Sequence, residues 1–164
     1  MLRYDHVSDF TKAAPRRLED AKELLTQPAL EPQRSDSSYR HLTAAEYLSG
    51  YAVECILKVY IITRTMGAGG QPARTWTEAL AFRKGLGRQL AGAKSHDLER
   101  LLSATDLERQ LRRALRLAWG IACKWEPALR YRGQPNMDRQ RAVELVSACE
   151  QVYRWVQARA GVPR

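Results

Sequence analysis

The chain has 164 residues, of which 45% are hydrophobic and 27% are charged, and its formal net charge is +9. This length and composition predict one soluble globular domain over residues 1–164, and they exclude fibrous and intrinsically disordered proteins. The basic balance favours polyanionic ligands, although a basic surface that only keeps a protein in solution has the same composition.

The amino-terminal segment lacks the apolar core of a signal peptide, and Glu54 and Lys58 interrupt the longest apolar run. We therefore expect neither secretion nor a membrane span, which favours a cytoplasmic location. The cysteines, Cys55, Cys123 and Cys149, lack Cys-x-x-Cys spacing. We interpret them as reduced thiols without a disulfide or metal role.

The first predicted helix covers about residues 9–27, with Leu18, Ala21 and Leu24 on its apolar face. Pro15 is interpreted as part of its first turn, because proline suits that position. The second helix should cover about 39–65. Its apolar residues recur at spacings of three and four and spread over most of the circumference. Such a pattern is typical of a central helix that neighbours cover on all sides.

Residues 67–94 contain six of the ten glycines, and we expect a surface excursion there with a broken helix near 77–90. Ser95 is the predicted N-cap of a short following helix. The next main helix should begin with a capping box formed by Thr105 and Glu108 and end before Pro127. The last begins near Asp138 and stops at Gly161.

No segment alternates polar and apolar residues for long enough to predict a sheet. The fold class is therefore all-α, most simply an antiparallel up-down bundle of four or five helices.

The second helix carries one polar face. Tyr47, Tyr51, Glu54 and Lys58 follow one another at spacings of four, three and four residues. One interpretation is a groove in which the phenols and the ion pair meet a nucleotide or an RNA strand. The alternative is an intrahelical Glu–Lys pair beside tyrosines that pack on a neighbouring helix, and spacing alone favours this alternative.

Basic residues concentrate in the second half of the chain. Arg109, Arg113 and Arg116 should share one face of the third main helix, and Arg130 and Arg132 follow in the next loop. Arginines in such a stripe suit phosphate groups, and aromatic residues between them suit stacking on bases. A solvated helix face has the same pattern.

The three histidines, His6, His41 and His96, are far apart and lack the spacing of metal ligands. We expect neither a metal nor a cofactor. His96 precedes Asp97 at a predicted helix start. The pair could take part in proton transfer, or it could cap and dock the short helix.

Several of these segments carry a family resemblance, and they occur in a fixed order. They are the stretch from Tyr47 to Lys58, then Ser95-His96-Asp97-Leu98 with Leu101-Leu102, then Trp125 and Arg130-Tyr131. In this order the chain resembles the HEPN superfamily, in particular a bacterial branch with a YLxGYxVExxLK-type second helix. The resemblance implies a helical bundle that commonly forms homodimers and often works beside a minimal nucleotidyltransferase. Members include metal-independent ribonucleases of toxin-antitoxin and defence modules, and also non-catalytic binding subunits.

The family's ribonuclease motif is an arginine followed a few residues later by a histidine. After Arg130 the corresponding positions hold Pro135, Asn136 and Met137, so the motif is missing at its expected place. Arg34 and His41 have the motif's spacing, but they lie at the entrance to the second helix rather than near the start of a late helix.

The resemblance and the residues together give the following candidates. The ligand-binding candidates are Glu54, Lys58, Arg130 and Tyr131; the catalytic candidates are Arg130, His96 and His41; the basic surface comprises Arg109, Arg113, Arg116 and Arg132. The leading hypothesis is a homodimeric protein that binds nucleotide or RNA, with a nucleotidyltransferase partner. The alternatives are a metal-independent endoribonuclease with an atypical site and a non-catalytic protein-interaction subunit.

Overall fold

The structure is a computed structural model that describes residues 5–26, 37–111, 113–131 and 139–162, with backbone alone for residues 37–40, 114, 130 and 131. The α-helices are α1 (Val7–Thr26), α2 (Ser37–Thr63), α3 (Trp76–Phe82), α4 (Leu86–Leu90), α5 (Leu98–Ser103), α6 (Arg113–Ala122) and α7 (Arg139–Ala160). Shorter 3-10 helices cover Ala68–Gly70, Gly92–His96, Leu107–Gln110 and Pro127–Tyr131. The described residues form no strand, so the predicted all-α class is confirmed.

Helix α2 is the centre of the bundle, as its apolar circumference predicts. Every residue from Ala52 to Ile62 is buried. Helices α1 and α7 pack most extensively on α2, while α6 packs on α7. The short helices α3 and α5 cover the remaining sides of α2 toward its carboxyl end.

The directions of the main helices follow from contacts at their ends. The backbone N–H of Val7 donates to Arg74, so α1 begins beside the segment that follows α2 (2.8 Å). Arg139 donates to the carbonyl of Leu25, which places the start of α7 beside the end of α1. The main helices therefore alternate in direction along the chain, and α2 and α7 run parallel.

Helix α1 begins earlier than Pro15 suggests. Its first turn is fixed by backbone hydrogen bonds from Val7 to Arg74 and from Trp76 to Asp5, at 2.8 Å each. Pro15 consequently lies inside the helix and is exposed. An interior proline costs about 3 kcal/mol of helix stability, and the tertiary contacts of the amino-terminal turn offset this cost.

Two predicted caps are wrong. Asp97, not Ser95, caps α5: its carboxylate accepts from the N–H of Arg100, whereas the Ser95 hydroxyl donates to Gly92. Thr105 accepts from the N–H of Leu107 rather than forming a capping box with Glu108.

The predicted third main helix is interrupted. Its first part is the 3-10 helix Leu107–Gln110, which ends at Leu111 in extended conformation (φ −64°, ψ 108°) before α6 begins. The phenol of Tyr60 donates to Asp106 at 2.6 Å, and this contact ties the turn to α2. Asp138, the predicted N-cap of the last helix, lies outside the described residues.

Candidate functional site

The motif on α2 begins with an aromatic cluster. Tyr47 and Tyr51 stack at a centroid distance of 6.1 Å with an interplanar angle of 6°. Trp125 lies against Tyr47, also at 6.1 Å, and its indole N–H donates to the Tyr47 carbonyl at 3.1 Å. Tyr47 therefore packs on a neighbouring segment, as the alternative interpretation of the polar face predicts, and Tyr51 stacks on Tyr47.

Tyr51 is partly buried beside the charged part of the motif. Burial raises the pKa of its phenol, and the neighbouring Cys55 and Glu54 raise it further. The phenol is therefore protonated at neutral pH and can donate a hydrogen bond, but it does not supply a negative charge.

Glu54 and Lys58 form a buried ion pair one turn apart. The Lys58 Nζ lies 2.6 Å from the Glu54 Oε1, and the side chains are 6% and 1% exposed. Removing two such charges from water is costly unless they are paired at short distance. The spacing of four residues on a helix provides that pairing.

Two aromatic rings enclose the ammonium group of Lys58. Its Nζ lies 5.5 Å from the ring centroid of Phe10 in α1 and 5.3 Å from that of Trp76 in α3. Cation–π contacts of this kind stabilise a charge that has lost part of its water. We call Glu54, Lys58, His96 and these two rings the Glu54 cluster.

His96 brings a second partner to the same carboxylate. Its Nδ1 lies 3.0 Å from the Glu54 Oε1, and its side chain is 46% exposed. A carboxylate can only accept, so Nδ1 carries the proton in this contact. Within the described chain the Glu54 Oε2 has no hydrogen-bond partner. The arrangement thus orients an accessible imidazole through a buried carboxylate, as in many acid–base sites.

The polypeptide around His96 explains its position. The 3-10 helix Gly92–His96 ends where Asp97 caps α5, and the buried Leu98 anchors α5 against the core. Asp97 therefore caps the helix, while His96 is directed to Glu54.

The other predicted site residues lie elsewhere or outside the described side chains. His41 precedes Glu54 by thirteen positions in α2, which corresponds to about 20 Å along the helix axis. It is therefore separate from the Glu54 cluster. Arg130 and Tyr131 belong to the 3-10 helix Pro127–Tyr131, but their side chains lie outside the described set, and so does all of Arg132.

The basic surface is not one continuous helix face. Arg109 is exposed on the 3-10 helix Leu107–Gln110, whereas Arg113 and Arg116 are exposed on α6 beyond the break at Leu111. The Nε of Arg116 donates to the Leu111 carbonyl at 3.0 Å. This contact holds the arginine over the break between the helices.

Three buried residues in or near the α2 motif were not predicted to have a special role. Phe10 and Trp76 come from α1 and α3, and no local spacing links them to Lys58. Glu46 is 1% exposed, and its Oε1 lacks a hydrogen-bond partner in the described part of the chain. Its position on the α2 stripe between Ala45 and Ser49 was the available signal.

Among the described residues, no group of three or more His, Cys, Asp and Glu side chains is arranged to hold a metal ion. None of the described helices is long and apolar enough to cross a membrane. The chain matches no protein-family model, no curated protein and no solved structure.

Proposed function

We propose that this protein is a HEPN-like helical bundle that binds RNA or nucleotides. The observation that carries the proposal is the exposure of Arg109, Arg113 and Arg116, none of which forms an ion pair within the described residues. Unpaired guanidinium groups bind phosphates through charge and paired N–H donors. The net charge of +9 adds a long-range attraction for polyanions.

The direct test is RNA binding by fluorescence anisotropy over a series of salt concentrations. Arg109→Ala/Arg113→Ala/Arg116→Ala should bind more weakly and with a shallower salt dependence, by up to about 0.7 in slope for each lost contact to a single strand. The control, Arg16→Ala/Arg74→Ala/Arg88→Ala, removes three exposed arginines elsewhere and the same charge. Absence of binding at moderate salt, or equal losses in the two variants, would contradict the proposed surface.

The Glu54 cluster favours a second candidate function, metal-independent cleavage of RNA. Such cleavage requires a base that activates the 2′-hydroxyl and a cation that stabilises charge on phosphorus. In this hypothesis His96 is the base, Glu54 orients it, and Arg130 supplies the cation. This assignment gives the missing family histidine a substitute from another part of the chain.

Cleavage is tested by incubating structured RNAs with the protein in EDTA. His96→Ala and Arg130→Ala should abolish product formation, while His41→Ala serves as the histidine control because it is distant from Glu54. Activity that depends on His41 instead would move the site to the start of α2. If the folded protein does not cleave RNA, the cleavage hypothesis is wrong, and the proposed binding of RNA or nucleotides is unaffected.

The homodimer, the nucleotidyltransferase partner and the toxin-antitoxin or defence context rest on the family resemblance. Leu117 is 71% exposed, one helical turn after Arg113 and directly after Arg116, which would suit an acidic partner with an apolar contact. In the third hypothesis, a pure interaction subunit, this surface binds protein and RNA is irrelevant. Analytical ultracentrifugation of the protein alone distinguishes a monomer from a homodimer, and the same measurement with a candidate partner detects a complex between the two proteins.

A further inference from the structure

A cavity lies at the end of the bundle where α2 terminates. It has a volume of about 570 Å³, within the range of small-molecule sites. Three segments that are distant in sequence form its walls. The lining residues are Tyr60, Arg64, Thr65, Met66, Phe82, Arg83, Lys84, Thr105 and Asp106. None of them belongs to the Glu54 cluster or to the basic surface.

Three cations line this cavity, and all are exposed. The guanidinium of Arg64 is held in place because it donates to the Arg159 carbonyl at 3.1 Å and lies 5.5 Å from the ring centroid of Tyr60. Arg83 and Lys84 form no side-chain hydrogen bond or ion pair within the described residues. The cavity therefore combines a fixed guanidinium with two cations that are available to an anion.

The apolar part of the lining is exposed as well. Met66 is 59% exposed and Phe82 is 49% exposed, and they are two of the four large hydrophobic residues exposed in the described chain. Single exposed hydrophobic residues scattered over a surface are ordinary, whereas exposed hydrophobic residues grouped in one cavity indicate a binding surface. Met66 and Phe82 therefore favour a ligand with an apolar part. A thioether and a phenyl ring also suit contact with a flat aromatic group.

An acceptor completes the cavity. The Asp106 Oδ1 accepts from the Tyr60 phenol at 2.6 Å, and the Oδ2 accepts from the Gln110 amide at 3.3 Å. The Tyr60 hydrogen bond lowers the pKa of Asp106. An ionised carboxylate beside three cations repels a second anion but attracts an N–H donor on the same ligand.

We infer that this cavity binds a nucleoside phosphate, with the base against Phe82 and Met66, a base amino group at Asp106, and the phosphate at Arg64, Arg83 and Lys84. The inference rests on the proposed function and adds a location for the nucleotide. The same chemistry is offered by a free nucleotide and by one unit of an RNA strand. The Asp106 contact favours bases that carry an exocyclic amino group over uracil.

The test is titration calorimetry of the full-length protein with AMP, CMP, UMP, inorganic phosphate and a short oligoribonucleotide. AMP and CMP should bind about tenfold or more tightly than UMP, because UMP cannot donate an amino hydrogen bond to the carboxylate. Asp106→Asn, whose amide oxygen can still accept from Tyr60, should reduce this preference. Tighter binding of the oligoribonucleotide than of AMP assigns the site to RNA; the reverse assigns it to the free nucleotide.

Arg83→Ala/Lys84→Ala should lower the affinity for AMP about tenfold or more. Arg88→Ala/Lys94→Ala is the control, because it removes two exposed cations that do not line the cavity. Equal AMP affinity in wild type and Arg83→Ala/Lys84→Ala would overturn the inference, and so would phosphate that binds as tightly as AMP.

The two proposals fail separately. Absence of AMP and CMP binding, together with RNA binding that depends on Arg109, Arg113 and Arg116, would overturn the cavity assignment and leave the proposed function. AMP binding that is lost in Arg83→Ala/Lys84→Ala, without any RNA binding, would support the cavity and exclude the RNA surface. An acidic peptide that binds here while nucleotides do not would also overturn the nucleotide assignment.

Discussion

The indole of Trp125 occupies the space that a side chain at Gly50 would need. A Cβ at Gly50 would lie 2.1 Å from the Trp125 Cγ, and the indole N–H donates to the Tyr47 carbonyl one turn earlier at 3.1 Å. The glycine of the α2 motif therefore lets the chain after α6 approach the backbone of α2. Packing explains this glycine, since its φ is not in the left-handed region.

Gly50→Ala should destabilise the fold by about 1–3 kcal/mol, the usual effect of overpacking, because the indole must move. Gly120→Ala is the matched control: Gly120 also lies in a helix, but nothing is within 4 Å of its Cβ position. That variant should gain about 0.4–1 kcal/mol. Urea unfolding measures both changes, and equal effects of the two substitutions would exclude the steric explanation.

Lys58→Met should cost about 3–5 kcal/mol, because it leaves Glu54 buried without its cation. Arg154→Met is the control, since Arg154 and Glu150 have the same spacing and the same 2.6 Å distance, but Arg154 is 60% exposed. Its loss should cost less than about 1 kcal/mol. In Glu54→Gln/Lys58→Met the remaining charge is also removed, so stability should partly return. A similar loss in Lys58→Met and Arg154→Met would show that burial of the first pair does not matter.

Glu46 should make stability depend on pH. Burial raises the pKa of its carboxyl above the ordinary 4.5, and Arg141 only partly opposes this shift. Between pH 4.5 and the raised pKa of the folded state, Glu46 is protonated in the folded protein but ionised in the unfolded chain. The free energy of unfolding therefore falls as the pH rises through this interval. Glu46→Gln should remove this dependence and be more stable than wild type at neutral pH. Chemical unfolding at several pH values measures this dependence, and Glu144→Gln, which changes an exposed carboxyl, is the control. The same dependence of stability on pH in wild type and Glu46→Gln would show that Glu46 is not its source.

The cysteines should differ in reactivity. Burial raises the pKa of Cys55 and Cys149 to about 12, and both are fully buried, whereas Cys123 is half-buried with a smaller shift in the same direction. Because the thiolate is the reactive form, iodoacetamide at about pH 8 should label Cys123 first and the other two on unfolding. Peptide mass spectrometry over time measures this order, and the Cys123→Ser variant should remain almost unlabelled while folded. Labelling of Cys55 as fast as Cys123 would contradict the buried positions.

The long helices could be predicted because their apolar residues follow the helical period. The stripe of α2 and the residues of α7 require no tertiary information. The interruption at Leu111 could not be predicted, since it depends on the contact between Asp106 and Tyr60, which are 46 positions apart. The early start of α1 likewise depends on backbone hydrogen bonds to Arg74.

In the candidate site, too, contacts within one helix could be predicted from the sequence, whereas contacts between distant segments could not. Glu54 and Lys58 are paired by their spacing alone, so the ion pair was predictable. The contact from His96 spans 42 positions, and the sequence supplied only the histidine's place before a helix. The positions of Phe10 and Trp76 beside Lys58 could not be predicted, because no local spacing links either residue to α2.

The two rings beside Lys58 come from different helices, Phe10 from α1 and Trp76 from α3. The same two helices are joined at their first turns by backbone hydrogen bonds from Val7 to Arg74 and from Trp76 to Asp5. The ammonium therefore has both aromatic neighbours only when α1 and α3 are docked on α2 together. A single buried charge thus couples the packing of two helices that are distant in the sequence.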